Sequence, residues 1–304
     1  MARTLDTMPP TKTEAPTAAR PGRRFRQSAG RQHHAGPLTY VLLAVAAFVS
    51  LFPLYWNVVA ASHTGERVVE APAPLLPGSR LMDNLSFAWN QVDMGEALIN
   101  TTVVASLVAL STVMFSTLAG FAFAKLPFRG RGMMLSLVVA TMTIPPQLSV
   151  IPLYRIITDL GWFDQLQSVV LPSLVAAFGV FFMRQFLVEA LPMELVEAAR
   201  MDGAHSLRII WHVVFPVARP AMAVLGMLVF VQAWNDFFWP FIALTPDGSP
   251  TLQVALAGLG AGNHSVDHAI VLTGALISTV PLLLVFAFLG KHIVGGITAG
   301  AVKS

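Results

Sequence analysis

Six long apolar stretches alternate with short polar ones along most of this chain. They cover roughly 38–61, 97–124, 133–154, 168–188, 218–244 and 269–289. Each approaches the ~20 residues that a helix needs to cross ~30 Å of hydrocarbon. The pattern predicts an all-α, polytopic membrane protein with six transmembrane helices. The second stretch carries small residues at Ala105, Ala109, Ser116, Gly120 and Ala124. Most steps are four residues, so they share one helix face, where another helix can approach closely. The third stretch is interrupted at Pro145 and Pro146. Proline removes an amide donor and clashes with the preceding turn, so a kink is expected there. It can be a static bend, or a hinge or unwound stretch beside a substrate path.

One polar interval is longer and more patterned than the others. Between the fourth and fifth apolar stretches lie Arg200, Asp202, His205, Arg208 and His212. Pro192 suits a helix start, and Leu195, Ala198 and Ala199 form a small-residue face. Asp202-Gly203 signals a turn in which glycine takes positive φ. Ser206 is placed to cap a second helix. Leu207, Ile210, Trp211 and Val214 then form an amphipathic stripe, which Pro216 is expected to end. The predicted unit is helix, tight turn, helix. Its two readings are a docking element for another protein and a hairpin lying on the lipid.

Composition supports the membrane reading: 55% of residues are hydrophobic and 12% charged, against about a quarter charged in soluble domains. Without cysteine, disulfides, thiolate metal sites and a cysteine nucleophile are excluded. Residues 1–36 form a Pro- and Arg-rich basic tail that cannot bury a core and is expected to be disordered. No small-residue cleavage site follows the first apolar run, so that run is expected to be retained. A nucleic-acid arm is the lesser reading of the tail; a topology signal fits better. Basic residues recur at Lys125, Arg129 and Arg131, at Arg184, Arg200, Arg208 and Arg219, and at Lys291 and Lys303. The intervening loops hold Arg67, Arg80 and Arg155 but nine acids, among them Glu66, Glu70, Asp159 and Asp164. The positive-inside rule therefore puts both termini, and the patterned hairpin, in the cytoplasm.

The hairpin reads Glu197-Ala198-Ala199, three residues, Gly203, nine residues, then Val213-Val214-Phe215-Pro216. This spacing resembles the EAA loop of type I ABC importer permeases, with Val213 and Phe215 replacing the usual Ile and Leu. The resemblance extends over about residues 40–303. Phe52-Pro53-Leu54-Tyr55-Trp56, Asn100-Thr101-Thr102, Phe121-Ala122-Phe123-Ala124-Lys125 and Trp234-Asn235-Asp236-Phe237 are similar to the carbohydrate-uptake branch, as is the C-terminal run Gly296 to Lys303. It implies a permease domain over 37–304, with a cytoplasmic helix-turn-helix coupling loop at about 190–217. Glu197, Ala198, Ala199, Asp202, Gly203 and Pro216 would couple it to an ATPase. Implied partners are a second permease subunit in a heterodimer, two ATPase subunits that hold ATP and Mg, an extracytoplasmic solute-binding protein, a sugar substrate and the lipid bilayer, with no nucleic acid. The implied location is the bacterial plasma membrane.

Asp236 is the one acid that the pattern puts inside a span, and an intramembrane carboxylate is a functional candidate by default. With Gln232, Trp234 and Asn235 it offers acceptors beside aromatic faces, a combination suited to sugars. The same group also fits an aromatic belt at the outer interface, with Asp236 paired structurally. Pro145 and Pro146 are the candidate hinge. No P-loop sequence and no His-Glu-x-x-His occurs, so the chain is expected to bind no cofactor or metal and to have no catalytic residues. His33-His34 and His264 with His268 lack further convincing ligands. The expected function is a permease subunit of an ATP-driven, binding-protein-dependent sugar importer. The same architecture carrying glycerol phosphate would favour an arginine on the path. A secondary transporter would show internal repeats and several intramembrane charges. An intramembrane enzyme would need a convergent catalytic set.

Overall fold

The structure is a computed structural model; it describes residues 36–261 and 267–301. The expected tail up to Ala35, His33-His34, His264 and Lys303 lie outside the described residues. Fourteen α-helices follow one another among the described residues: α1 (Pro37–Ala61), α2 (Gly65–Val69), α3 (Leu81–Gln91), α4 (Met94–Lys125), α5 (Arg131–Thr141), α6 (Val150–Asp159), α7 (Gln167–Val170), α8 (Ala177–Ala190), α9 (Met193–Met201), α10 (Ser206–Ile209), α11 (Phe215–Trp234), α12 (Phe238–Ala243), α13 (Leu252–Ala261) and α14 (His268–Ala301). Two compact units divide the chain, Met1–Ser50 and Leu51–Ser304. The described part of the first unit is Gly36 and the exposed beginning of α1. Everything below concerns the second.

Among the described residues, five helical stretches are long and apolar enough to cross a membrane: Pro37–Ala61, Met94–Lys125, Gln167–Ala190, Ser206–Trp234 and His268–Ala287. The third predicted span is different. It is two helices, Arg131–Thr141 and Pro146–Asp159, meeting at 92°. Pro145 precedes a 3-10 turn over Pro146–Ser149, so the chain breaks outright where a kink was expected. The fifth span was expected to run through Leu244. It ends at Trp234, and Pro240 sits in the separate short helix α12. Asp236 is therefore outside a helix, in the connection between α11 and α12, and not within a span.

Helix α4 is central. Asp93 caps it by accepting a hydrogen bond from the Glu96 amide at 3.1 Å. Its small residues Ala105, Ala109, Ser116, Gly120 and Ala124 are all buried, as expected. Gly120 lies against α8 so closely that a Cβ there would stand 2.8 Å from the Arg184 amide nitrogen. In a bilayer, where lipid tails are as apolar as leucine, such backbone approach is what holds helices together. One core cluster joins Val104, Val108 and Val113 of α4 to Met183 and Leu187 of α8 and to Ala218, Ala221 and Leu225 of α11. A second joins Ala97 and Ala105 to Trp234, Leu252, Ala255 and Ile270.

The polar start of α4 has a structural task. The Asn100 side-chain amide donates to the Pro250 carbonyl at 3.1 Å, and Thr101 Oγ1 accepts from the Leu252 amide at 2.7 Å. These bonds tether the head of α13, a helix of 10 residues and too short to cross a membrane. Asn84 of α3 donates to the carbonyls of Ala61 and His63, each at 2.8 Å. Unpaired, these groups would each cost about 1–3 kcal/mol.

Candidate functional site

The patterned hairpin forms much as its residues dictate. Helix α9 ends at Asp202, and Gly203 follows at φ 76°. The Gly203 amide donates to Arg200 O at 3.0 Å, and the Ala204 amide to Ala199 O at 2.9 Å. This pair of bonds is a Schellman termination, which satisfies carbonyls that the helix end would orphan. Three expectations fail in the second half. Ser206 does not cap α10; His205 holds that position and makes no side-chain cap bond. Pro216 does not end the second helix. The chain passes from α10 through a π turn at Ile210–Val214 into α11, with Pro216 in its first turn, where a missing amide does no harm.

The π turn also shifts the expected stripe. Ile209 and Val214 are buried, whereas Leu207 and Trp211 are 62% and 57% exposed. In α9, Val196 is buried and Ala199 packs on the core, while Leu195, Glu197 and Ala198 face outward. Met201 is 88% exposed. Glu197, Ala198, Asp202 and Gly203 are thus exposed, as are Leu195, Met201, Leu207 and Trp211 of the same hairpin. Exposed large apolar side chains interspersed with charged ones are the composition of a protein-binding surface.

The second site is a cavity of about 570 Å³, within the ~300–1,000 Å³ of small-molecule pockets. The two chain breaks build it. Pro146, Gln147 and Ser149 come from the break between α5 and α6; Asn235 and Asp236 come from the break between α11 and α12, and Phe238 and Trp239 from the start of α12. Val229, Gln232 and Ala233 stand at i, i+3 and i+4 on α11 and present one face to it. Thr112 of α4 and Ser173 before α8 add hydroxyls. The amides of Phe238 and Trp239 turn toward the Asp236 carboxylate. Trp239 Nε1 donates to Ser168 O at 2.9 Å, which fixes its ring.

Gln232, Asn235 and Asp236 are thereby brought together as expected, and Pro146 joins them. Trp234 is not. It points to the neighbouring side of α11, stacks on Phe230 with ring centroids 5.7 Å apart, and donates from Nε1 to Ser278 O at 3.3 Å. At 2% exposure it belongs to the second core cluster. Trp239 supplies the aromatic face instead. It was visible in the sequence only as one of several aromatics following Asp236.

Asp164, in the loop between α6 and α7, had no role assigned from the sequence. Its Oδ1 accepts from the Thr245 amide at 2.8 Å and the Ser249 amide at 3.3 Å, and its Oδ2 accepts from the Thr245 hydroxyl at 2.9 Å. The Asp164 amide donates to Ala243 O at 2.9 Å. This clamp ties the far ends of α6 and α12, the two short helices that flank the cavity. Burial pushes the carboxyl up, but the bonds from Thr245 and Ser249 outweigh it and hold the group below the usual carboxylate range. The ionised form is thus the one the fold prefers. Its contribution is complete above the unfolded value of ~3.9 and disappears as pH falls through the lower folded value. Asp164→Asn is expected to lower the unfolding temperature of the purified protein at pH 7, with the gap to wild type narrowing below about pH 4. A gap independent of pH would contradict the clamp.

The model of a family described as binding-protein-dependent transport system inner membrane component matches residues 113–298. The chain is 30% identical over 264 residues to the lactose transport system permease protein of Rhizobium radiobacter, covering 87% of this chain and 95% of that one. It is 29% identical over 263 residues to the arabinooligosaccharides transport system permease protein of Halalkalibacterium halodurans, covering 86% and 94%. It is 30% identical over 268 residues to the sn-glycerol-3-phosphate transport system permease protein of Yersinia pestis, covering 85% and 94%. Among solved structures it resembles a chain of a bacterial ABC transporter involved in the import of the acidic polysaccharide alginate. The TM-score is 0.70 and the identity 25%, over 84% of this chain and 94% of that one.

Proposed function

The chain belongs to the family of inner membrane components of binding-protein-dependent transport systems, and on that premise we propose that it conducts a sugar or oligosaccharide across the membrane for an ATP-driven importer. The observation that carries this is the cavity between two interrupted helices. Hydroxyls and amides from Thr112, Gln147, Ser149, Ser173, Gln232 and Asn235 meet the aromatic faces of Phe238 and Trp239 there. A sugar offers many hydroxyls and apolar ring faces, and this lining answers both. The breaks at Pro145-Pro146 and Asn235-Phe237 are the hinges that let the lining rearrange. Energy comes from two ATPase subunits, which hold ATP and Mg, docked on the hairpin through Glu197, Ala198, Ala199, Asp202 and Gly203. A second permease subunit completes the path, and an extracytoplasmic binding protein delivers the sugar.

Proteoliposomes containing the importer purified through a tag on this chain are expected to accumulate a labelled neutral sugar, such as lactose or an arabinooligosaccharide, only when ATP and a matching binding protein are present. Accumulation without ATP would point to a secondary transporter. Accumulation of non-sugar solutes alone would refute the substrate assignment.

Orientation is part of the same proposal, with both termini and the hairpin in the cytoplasm. The absence of native cysteine makes this directly testable. Cysteines replacing Glu70 and Gln165 should react with an impermeant thiol reagent added to whole cells. Cysteines replacing Gly130 and His205 should react only after the membrane is opened. Labelling at position 205 from outside would reverse the orientation and remove the hairpin from reach of an ATPase.

A further inference from the structure

We infer that Asp236 makes the cavity a charge filter, which admits uncharged sugars and rejects solutes bearing a phosphate or a carboxylate. The inference rests on reading the cavity as the transport path, and it names the substrate class of that path. Among the described residues, Asp236 is the one ionisable side chain in the lining; the rest is hydroxyl, amide, aromatic and aliphatic. No lysine, arginine or histidine lines it among the described residues. Arg155 follows Leu153 on α6 by two residues, about 200° around the helix, and is exposed away from the lining. The carboxylate does not lack support of its own. Burial pushes its carboxyl above the ordinary value, and the amides of Phe238 and Trp239, which turn toward it, offset part of that and favour the ionised form.

The consequence is one-sided. A neutral sugar can donate its hydroxyls to Asp236 and to the side-chain carbonyls of Gln147 and Gln232, while its ring stacks on Trp239. An anion entering the same space meets a fixed negative charge with no cation to offset it, in surroundings where charges are weakly screened. Like charges brought together at a recognition surface discriminate strongly against the wrong ligand. The chain's own lining therefore favours a neutral sugar over a glycerol phosphate.

The test uses the intact importer in nanodiscs without its binding protein, so that the permease selects by itself. Direct binding of radiolabelled cellobiose is compared with that of cellobiouronate, which adds one carboxylate, and of sn-glycerol 3-phosphate. Wild type is expected to bind cellobiose at least about tenfold more tightly than either anion. Asp236→Asn, which keeps volume and hydrogen bonding, should bring the two disaccharides to within about threefold. Asp236→Lys should reverse the order. Assembly of each variant is checked by co-elution of all subunits. Equal binding of neutral and anionic ligands by wild type would overturn the filter, and so would an unchanged ratio in both assembled variants. Failure of every sugar to bind, with no competition at the cavity, would instead overturn the sugar reading on which the filter rests.

Discussion

Gly203→Pro is expected to abolish sugar uptake while leaving the protein inserted in the membrane. Gly203 sits at φ 76°, and proline is locked near −65°. The substitution also deletes the amide that donates to Arg200 O. The turn between α9 and α10 must then open, and the exposed surface carrying Glu197, Ala198 and Asp202 loses its shape. Glu197→Lys tests the same surface without touching the backbone, since Glu197 is exposed and the reversal alters only what a docked partner would meet. Both variants should show uptake reduced by at least about tenfold, the loss produced by ~1.4 kcal/mol, and weaker copurification of the ATPase. Normal uptake in both would remove the hairpin from the coupling role.

The largest effect on stability is expected at the α4–α8 crossing. A Cβ at position 120 would lie 2.8 Å from the Arg184 nitrogen and 2.9 Å from the Met183 carbonyl carbon. Both are backbone atoms, so no rotamer change relieves the overlap. Gly120→Ala should destabilise by roughly 1–3 kcal/mol, the usual range for overpacking, and Gly120→Leu by more. The measurement is thermal unfolding of the purified protein in detergent. The larger residue should also reduce uptake, because α4 and the start of α8 both line the cavity through Thr112 and Ala176. An unchanged midpoint for Gly120→Leu would mean that the two helices do not cross there.

Hydrophobic pattern made most of this architecture legible. Four of the six spans emerge close to their expected bounds, because apolar length alone decides whether a helix can cross lipid. The buried face of α4 followed from four-residue spacing of small side chains, and the turn at Gly203 followed from glycine's freedom at positive φ. What escaped the pattern shares a cause. Apolar residues continue through Phe237, Phe238, Phe241 and Ile242, so hydropathy could not register that α11 stops at Trp234. The third span hid a 92° break for the same reason. The π turn moved Leu207 and Trp211 outward, since one extra residue per turn shifts the phase on which an i, i+3, i+4 stripe depends. Asp164 and Thr245 are separated by 81 positions, and no local signal joins them. Trp234 and Trp239 look equally suited to a sugar in sequence; only helix phase and the break decide which one faces the cavity.

The continuity of the helix from Ser206 to Trp234 gives the molecule a lever. Its 29 residues span about 43 Å at ~1.5 Å per residue. The near end follows the turn at Gly203. The far end carries Gln232 and, just beyond, Asp236. A ten-degree tilt imposed at one end, pivoting there, would sweep the other by about 7 Å over that length. That distance exceeds the width of a sugar ring's contact with an aromatic face. On the proposed reading, the wall that would face the solute and the turn that would meet the ATPase are two ends of one continuous helical stretch, and work done on either end is felt at the other without any relay of side chains between them.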